Sequence, residues 1–248
     1  MEQEPTARRS RGKSSEDDAL FGNIRQQDKL REALQDMYYL LSRDYPVKAS
    51  LILTGNRYRL KTRQIIALQG MACSAQDIAL RQKKALLPHQ LEGKTLYLDG
   101  FNILIVLETL LSGGYVFKGL DGCYRDISSV HGTYKRVQQT EEVLTLAGNA
   151  LQQLNAARVV WVFDQPVSNS GKMKALCYET AEQYGYKWDA ILDNSPDKFL
   201  AEDNRLVSSS DAWVLNECYE WFNLTGYIVQ QLLEQQNNFS IIAPEIVL

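Results

Sequence analysis

Four aspartates stand at the borders of apolar segments, and their types and spacing could support chemistry. Asp99, Asp164 and Asp211 close such segments, and Asp197 opens another. Residues at the carboxyl ends of parallel strands share one edge of a sheet, so these distant groups could meet in one crevice. Carboxylates packed at about 3–5 Å raise one another's pKa values unless a cation compensates their charge. Because the ligands are all oxygen atoms, the expected cation is Mg²⁺ or Mn²⁺.

A divalent cation held by these carboxylates could hydrolyse a phosphodiester bond. Such hydrolysis requires a hydroxide near neutral pH and neutralisation of the charge on the phosphate, and bound metal ions supply both. Asp99 and Asp211 are the candidates for direct or bridging ligands. Asp164 and Asp197 could bind a second metal or act through water. Neighbouring polar side chains could orient the carboxylates through hydrogen bonds, and these are Asn102, Ser209 and Ser210.

Each aspartate taken singly also fits a purely structural role. Aspartate is a preferred N-cap, and Asp99 and Asp211 both precede helical segments, whereas Asp164 precedes a Gln-Pro turn. Other chemistries lack their residues. A haloacid-dehalogenase-type phosphatase needs a second aspartate at the position of Phe101, and the chain has neither a G-x-G-x-x-G nor a G-x-S-x-G motif.

The elements that must position these residues form an α/β domain over residues 93–248. Short apolar runs predict strands at 95–99, 157–164, 186–193 and 204–211, and they alternate with helical segments. This alternation predicts a mostly parallel central sheet. The stretch "GYVFKGLDGCYRDIS" predicts irregular structure.

The front of the chain has a different pattern. Residues 1–18 are almost without apolar side chains and predict a disordered tail. Residues 19–92 predict a small helical region, because apolar residues recur at helical spacing from Leu30 to Leu41 and Ser74 with Asp77 resembles a capping box. The front helices would offer a surface to a protein partner or to a second copy of the chain.

The order of the acidic motifs resembles the PIN-like nuclease superfamily, including its NYN branch. The similarity covers about residues 93–225 and extends to an uncharacterised prokaryotic PIN-like family with an N-terminal helical region. It depends on four motifs in sequence, namely "LYLDGFNIL", "VVWVFDQPVSNSG", "SPDKFLAE" and "LVSSSDAWVL". The resemblance implies a three-layer α/β/α fold and a Mg²⁺- or Mn²⁺-dependent nuclease.

By that resemblance, Asp99, Asp164, Asp197 and Asp211 take the four acidic positions, with Asn102 beside the first. RNA is implied as the substrate more than DNA. The sequence departs from the pattern after Asp211, where Ala212 and Trp213 replace the further acidic residue that such domains often carry. A nucleic-acid-binding protein with little or no turnover and a metal-dependent phosphatase therefore remain the alternative functions.

Two basic segments are candidates for binding the nucleic acid. In "NRYRLKTRQ" the cations recur at every second residue, namely Arg57, Arg59, Lys61 and Arg63. An extended backbone would place them on one face, whereas a helix would spread them around the surface. In "HGTYKR", Tyr134 could stack on an unpaired base beside Lys135 and Arg136. Ordinary solvent-exposed surface is the more common explanation for either segment, because exposed Lys and Arg are normal in any fold.

Composition is that of a globular, intracellular protein. The chain has 248 residues with 45% apolar content, which is enough for a sizeable core. Residues 1–92 carry 16 Lys+Arg and 11 Asp+Glu, and since the whole chain carries 27 and 30, residues 93–248 carry 11 and 19. The balances of +5 and −8 suit a polyanion held beside a cation site. The four cysteines form no C-x-x-C pair, and no segment suits a signal peptide or membrane span, so we expect a cytoplasmic protein.

Overall fold

The computed structural model describes residues 13–128, 134–202, 204–235 and 238–245. The front region consists of five helices and a short 3₁₀ turn: α1 (Asp17–Phe21), α2 (Ile24–Leu41), α3 (Val47–Arg57), α4 (Thr62–Met71), α5 (Ala75–Lys84) and the turn Pro88–Leu91. Residues 1–12 of the predicted tail lie outside the described residues. Its end at residue 18 is corrected, because α1 begins at Asp17 and the Asp17 side chain is buried.

The front helices form where the apolar spacing and caps predict them. Leu30, Leu34 and Met37 form the buried face of α2. The Ser74 side chain caps α5 by accepting a hydrogen bond from the Asp77 backbone N at 3.0 Å. These helices pack together with the side chain of Phe117 from the following domain, so the front region is not a separate core.

The described residues form eight strands in this order: β1 (Thr95–Asp99), β2 (Val116–Lys118), β3 (Tyr124–Arg125), β4 (Arg158–Asp164), β5 (Trp188–Asp193), β6 (Leu206–Ser208), β7 (Glu220–Trp221) and β8 (Ile241–Ile242). Five of them form one sheet in the order β5-β4-β1-β6-β7, and every pair is parallel. The prediction of an α/β domain with a mostly parallel sheet is confirmed. From β1 the chain first builds outward through β4 and β5 and then crosses to β6, so the strand order reverses at β1.

Helices cover both faces of this sheet. Their bounds are α6 (Gly100–Leu111), α7 (Thr140–Gln153), α8 (Ser170–Tyr184), α9 (Pro196–Ala201), α10 (Ala212–Glu217) and α11 (Leu224–Gln235). Leu96, Leu98 and Trp161 face the core shared with α6, α7, α8 and α11. Tyr97 and Val162 face the opposite side, where α9 and α10 pack.

The stretch predicted as irregular contains regular structure. Strands β2 and β3 lie within it, and they join β8 in a second, three-stranded sheet with the order β3-β2-β8. Two- and three-residue strands are too short to show a hydrophobic period, which is why the sequence does not predict them. Among the helices that the structure describes, none is both long and apolar enough to span a membrane.

Candidate functional site

The predicted carboxylates are placed by strand register on one face of the sheet. Asp99 ends β1 opposite Val162 of β4, and Asp164 lies two residues farther along β4. Side chains alternate between faces along a strand, so Asp99, Val162 and Asp164 point to the same side. This side is the face that α9 and α10 cover. The edge also coincides with the reversal of strand order, where ligands bind in open parallel sheets.

The other two predicted carboxylates come from the covering helices. Asp197 lies in the first turn of α9, and Asp211 is the N-cap of α10. Helix α9 is held on the sheet by Phe199, whose ring contacts Tyr97 at a centroid distance of 6.0 Å. All four aspartates therefore belong to the carboxyl edge of one sheet face.

The Ser209 hydroxyl joins the β1 end to the β6 end. It donates a hydrogen bond to Asp99 Oδ2 at 2.6 Å and accepts one from the Asp211 backbone N at 3.0 Å. Beside it, Asn102 Oδ1 accepts hydrogen bonds from the Ser210 backbone N at 2.9 Å and from Ser210 Oγ at 2.8 Å. The three polar residues predicted to orient the carboxylates thus lie at the site and bond to its backbone and side chains.

Electrostatic interactions link these carboxylates to one another. Burial, together with repulsion from Asp197 and Asp211, raises the pKa of Asp99 to about 7, although the Ser209 hydrogen bond acts in the opposite direction. Burial and then repulsion from Asp211 and Asp164 raise the pKa of Asp197. No Lys or Arg is among the main causes of either shift. The carboxylates of the site therefore repel one another, and a bound cation would relieve that repulsion.

A fifth carboxylate, which the sequence reasoning missed, belongs to the same edge. Asp193 ends β5 directly opposite Asp164. Burial and then repulsion from Asp193 raise the pKa of Asp164. The sequence contains a signal for Asp193, because "YKWDAILD" ends in aspartate as the segments of β1 and β4 do. We call the five residues the carboxylate edge: Asp99, Asp164, Asp193, Asp197 and Asp211.

The donor set suits a hard divalent cation, since it is made of carboxylate oxygens that repel one another. Even so, within the described ranges no three His, Cys, Asp or Glu side chains are already grouped closely enough to hold a metal ion. Asp211 is partly committed elsewhere, because its Oδ1 accepts hydrogen bonds from the backbone N atoms of Trp213 and Val214. Asp99 makes no capping hydrogen bond to α6, but its Oδ2 accepts the hydrogen bond from Ser209, and the Asn102 backbone N–H also lowers its pKa.

A buried ion cluster, the arginine clamp, holds the loop that carries Asp211. It consists of Arg81, Asp121 and Arg125, and the Asp121 carboxylate pairs with both guanidinium groups. Arg125 Nε donates to the Ser210 carbonyl at 2.8 Å, and Arg81 Nη2 donates to the Ala212 carbonyl at 3.2 Å. The clamp therefore fixes the backbone on both sides of Asp211. No local pattern could predict it, because its members come from α5, the β2–β3 turn and β3.

The predicted cationic strip in "NRYRLKTRQ" is corrected by the backbone, which is not extended there. Arg57 ends α3 and pairs with Asp36 at 3.3 Å. Arg59 adopts a left-handed φ of 48°, and Lys61 is the N-cap of α4. The Arg63 side chain binds the buried Asp17 carboxylate through Nε at 2.6 Å and Nη2 at 2.8 Å. The segment is thus the end of α3, the turn after it and the start of α4. Arg63 stabilises the packing of α1 on α4.

The structure also changes the interpretation of the second predicted basic segment. Tyr134 is fully buried, packs on Phe101 and donates a hydrogen bond from its hydroxyl to Glu108, so it serves the core and cannot stack on a base in this conformation. Arg136 pairs with Glu141, and Lys135 is exposed. The ion pair of Arg136 is with Glu141 at the start of α7, and it does not involve the carboxylate edge.

Comparison with known proteins divides the chain into two matched parts. Residues 88–227 match the model of a family described as "Domain of unknown function (DUF5616)", and residues 29–84 match one described as "Protein of unknown function (DUF434)". A relative from Methanocaldococcus jannaschii, "Uncharacterized protein MJ0935", is 27% identical over 186 residues, which cover 75% of this chain and 88% of the relative. No solved structure matches the chain. The two family matches meet between α5 and the turn at Pro88.

Proposed function

The chain belongs to the DUF5616 family, and we propose that it is a PIN-like nuclease that depends on Mg²⁺ or Mn²⁺. It would hydrolyse phosphodiester bonds at the carboxylate edge, in RNA more than in DNA. The proposed identity with the PIN-like fold is supported by the parallel sheet with helices on both faces. It is also supported by the positions of the four acidic motifs at one edge. The preference for RNA depends on the family resemblance alone.

One observation carries the proposal: the Ser209 hydroxyl bonds both to the Asp99 carboxylate and to the Asp211 backbone. These aspartates are more than 100 residues apart in sequence, so their meeting is a property of the tertiary structure. A cap or turn role for each aspartate separately would not require a shared polar group between them. The same edge brings Asp197 within electrostatic range of Asp99 and Asp211.

The five carboxylates of the edge would have different roles in holding the metal. Asp99 and Asp211 would supply the main ligands, with Asp211 using the oxygen that does not cap α10. Asp164, Asp193 and Asp197 would hold a second ion or its water molecules. When bound, the metal would generate a hydroxide near neutral pH and neutralise charge on the phosphate. The Ser209 hydroxyl would fix the orientation of the Asp99 carboxylate.

A nucleic-acid-binding protein without turnover is the second candidate, and two observations favour it. Asp211 Oδ1 already accepts two backbone hydrogen bonds, which leaves this residue fewer lone pairs for a cation. The residue after Asp211 is Ala212, where a further acidic ligand would complete the resembled pattern. This candidate predicts binding of the nucleic acid without cleavage.

Cleavage of labelled single-stranded RNA in Mn²⁺ tests the proposal. We expect the unaltered chain to shorten the RNA, and we expect Asp99→Asn to reduce the rate at least about 100-fold, because a neutral amide is a poor ligand for a hard cation. The matched control is Asp44→Asn, an exposed aspartate between α2 and α3 whose left-handed φ of 60° also suits asparagine.

Three results would contradict the proposal. RNA binding without cleavage would favour the nucleic-acid-binding candidate. Turnover of p-nitrophenyl phosphate without cleavage of RNA or DNA would favour the phosphatase. Equal loss of activity in Asp99→Asn and Asp44→Asn would show that the reaction does not occur at the carboxylate edge.

A further inference from the structure

Helix α10 presents an exposed tryptophan beside the carboxylate edge. Trp213 is 48% exposed, although the next two residues, Val214 and Leu215, are fully buried. Trp213 therefore contributes little to the core of this face. A large aromatic side chain held at the surface commonly serves a contact with another molecule.

The backbone that carries Trp213 is fixed at both ends of its helix. The Trp213 backbone N donates to Asp211 Oδ1 at 2.8 Å, and Arg81 of the clamp binds the preceding carbonyl, that of Ala212, at 3.2 Å. At the other end, Arg81 Nε donates to Asn216 Oδ1 at 2.8 Å and Lys84 Nζ donates to the Asn216 carbonyl at 2.5 Å. The indole is thus attached to a rigid support, which lowers the entropy lost when a ligand binds it.

The surroundings of Trp213 suit a flat ligand better than a protein surface. The neighbouring exposed residues of α10 are Ala212 and Glu217, so Trp213 is not part of a continuous apolar patch on this helix. Asp211, which caps its helix turn, belongs to the carboxylate edge. A single aromatic face next to a site for phosphodiester chemistry matches a nucleotide, which has an aromatic base beside its phosphate.

We propose that Trp213 is the stacking platform for an unpaired base of single-stranded nucleic acid, adjacent to the phosphate at the carboxylate edge. This inference rests on the proposed function, and it adds the strand type and the residue that sets the position of the strand. Every base has an aromatic face, so the platform tolerates different sequences. A base in a duplex is already stacked and does not bind there. Tyr134, which the sequence suggested for this role, is buried.

Binding of short single-stranded oligonucleotides that contain 2-aminopurine tests the platform. Both an RNA and a DNA strand are measured with Ca²⁺ in place of Mn²⁺, because Ca²⁺ binds oxygen ligands but activates bound water less, and a gel verifies that the strand is intact. Stacking on an aromatic side chain contributes about 1–3 kcal/mol per base, so we expect Trp213→Ala to weaken binding about 5- to 150-fold. Quenching of the 2-aminopurine fluorescence on binding disappears in this variant. Trp213→Phe keeps most of the affinity.

Two controls separate stacking from a general surface effect. Tyr219 is 57% exposed and precedes β7, at the opposite edge of the sheet from Asp211, so Tyr219→Ala leaves binding unchanged. An abasic residue at the quenched position removes the difference between the unaltered chain and Trp213→Ala. Equal melting temperatures of the variants verify that the exposed substitution does not affect folding.

The outcomes distinguish the platform from the nuclease proposal. Quenching and affinity that depend on Trp213, without cleavage in Mn²⁺, support the platform and contradict hydrolysis. Cleavage that depends on Asp99, with affinity within about twofold and quenching unchanged in Trp213→Ala, overturns the platform and leaves hydrolysis intact. Quenching of a duplex probe equal to that of the single strand also overturns it, as does a lack of binding to both RNA and DNA.

Discussion

Asp99 and Asp211 occupy similar positions in sequence, each at the junction of a strand and a helix, yet their side chains differ in role. Asp211 caps α10 through two backbone hydrogen bonds, whereas Asp99 makes no capping hydrogen bond; its carboxylate accepts from Ser209, and the Asn102 backbone N–H also lowers its pKa. From the residue type alone, either aspartate could cap the helix that follows it or accept a hydrogen bond from another segment. Only the packing of β1 beside β6 selects between them, which is information that a local pattern does not contain.

The raised pKa of Asp99 predicts a pH-dependent stability of the metal-free protein. Burial is the main cause of the rise of this pKa from the ordinary value of 3.8 to about 7. The folded state therefore holds a proton that the unfolded chain has released, so the free energy of unfolding falls as pH rises from about 4 to about 7 and then levels. Asparagine does not ionise. At pH 8 in EDTA we expect Asp99→Asn to be more stable than the unaltered chain by about 1–3 kcal/mol.

Urea unfolding at pH 5 and at pH 8 measures this difference. The stabilisation by Asp99→Asn should be large at pH 8 and small at pH 5, because Asp99 is mostly protonated in the folded protein at the lower pH. A difference that is the same at both values would contradict the assigned pKa shift.

Gly100, which follows Asp99, is required by the packing of α6 on β4. An added Cβ would lie 2.3 Å from Phe163 Cε1 and 2.9 Å from the Val162 carbonyl oxygen, and this backbone atom cannot move aside easily. We expect Gly100→Ala to lower the free energy of unfolding by about 1–3 kcal/mol. Gly171 in α8 has nothing within 4 Å of such an atom, so Gly171→Ala should be neutral or slightly stabilising. Urea unfolding of both variants tests the comparison, and equal effects would contradict it.

At the scale of elements, strands within clear apolar runs were predictable, whereas the short strands β2, β3 and β8 were not. The predicted first strand, 95–99, has the bounds of β1, and the segment 157–164 contains β4. Strands β2 and β8 have three and two residues, and Val116 pairs with Ile241 from the far end of the chain. Such strands are defined by their partners. For the same reason the sequence predicted the aspartates of the edge but not the arginine clamp that holds their loop.

The arginine clamp predicts a large cost when one of its cations is removed. Arg125→Met would leave Asp121, whose carboxylate is almost completely buried, with a single cationic partner and would free the Ser210 carbonyl. Breaking a buried ion pair costs about 3–5 kcal/mol. The matched control is Arg158→Met, which breaks an exposed pair with Asp189 and should cost less than about 1 kcal/mol.

Urea unfolding at pH 7 gives both free energies. Similar small costs for the two variants would mean that the clamp does not stabilise the fold. We also expect Arg125→Met to reduce cleavage at a temperature where the variant remains folded, since the backbone beside Asp211 loses a fixed contact.

At the scale of the whole molecule, the helical front and the α/β domain share a core even though the sequence divides them. Phe21 and Met71 of the front pack in one cluster with Phe117 of β2 and Ile242 of β8. The Trp221 indole also donates to the Arg81 carbonyl at 2.7 Å. The composition change near residue 92 is therefore a boundary in pattern and not in packing.

This shared core predicts one cooperative unfolding transition. All four tryptophans lie between residues 161 and 221, so their fluorescence reports on the α/β domain, whereas far-UV circular dichroism also reports on the five front helices. We expect thermal midpoints from the two signals to agree within about 2 °C. A circular dichroism transition that precedes the fluorescence change would show that the front unfolds independently.

The connection after α5 has a further consequence at the β7 border of the main sheet. Ala85 forms a parallel bridge with Trp221, and the Leu86 backbone N donates to the Trp221 carbonyl at 2.8 Å. An unprotected outer strand invites other chains to add to it and leads to insoluble polymers. Here the connector after α5 already pairs with the backbone of β7. Addition of another chain to β7 would therefore first require the front helices to detach.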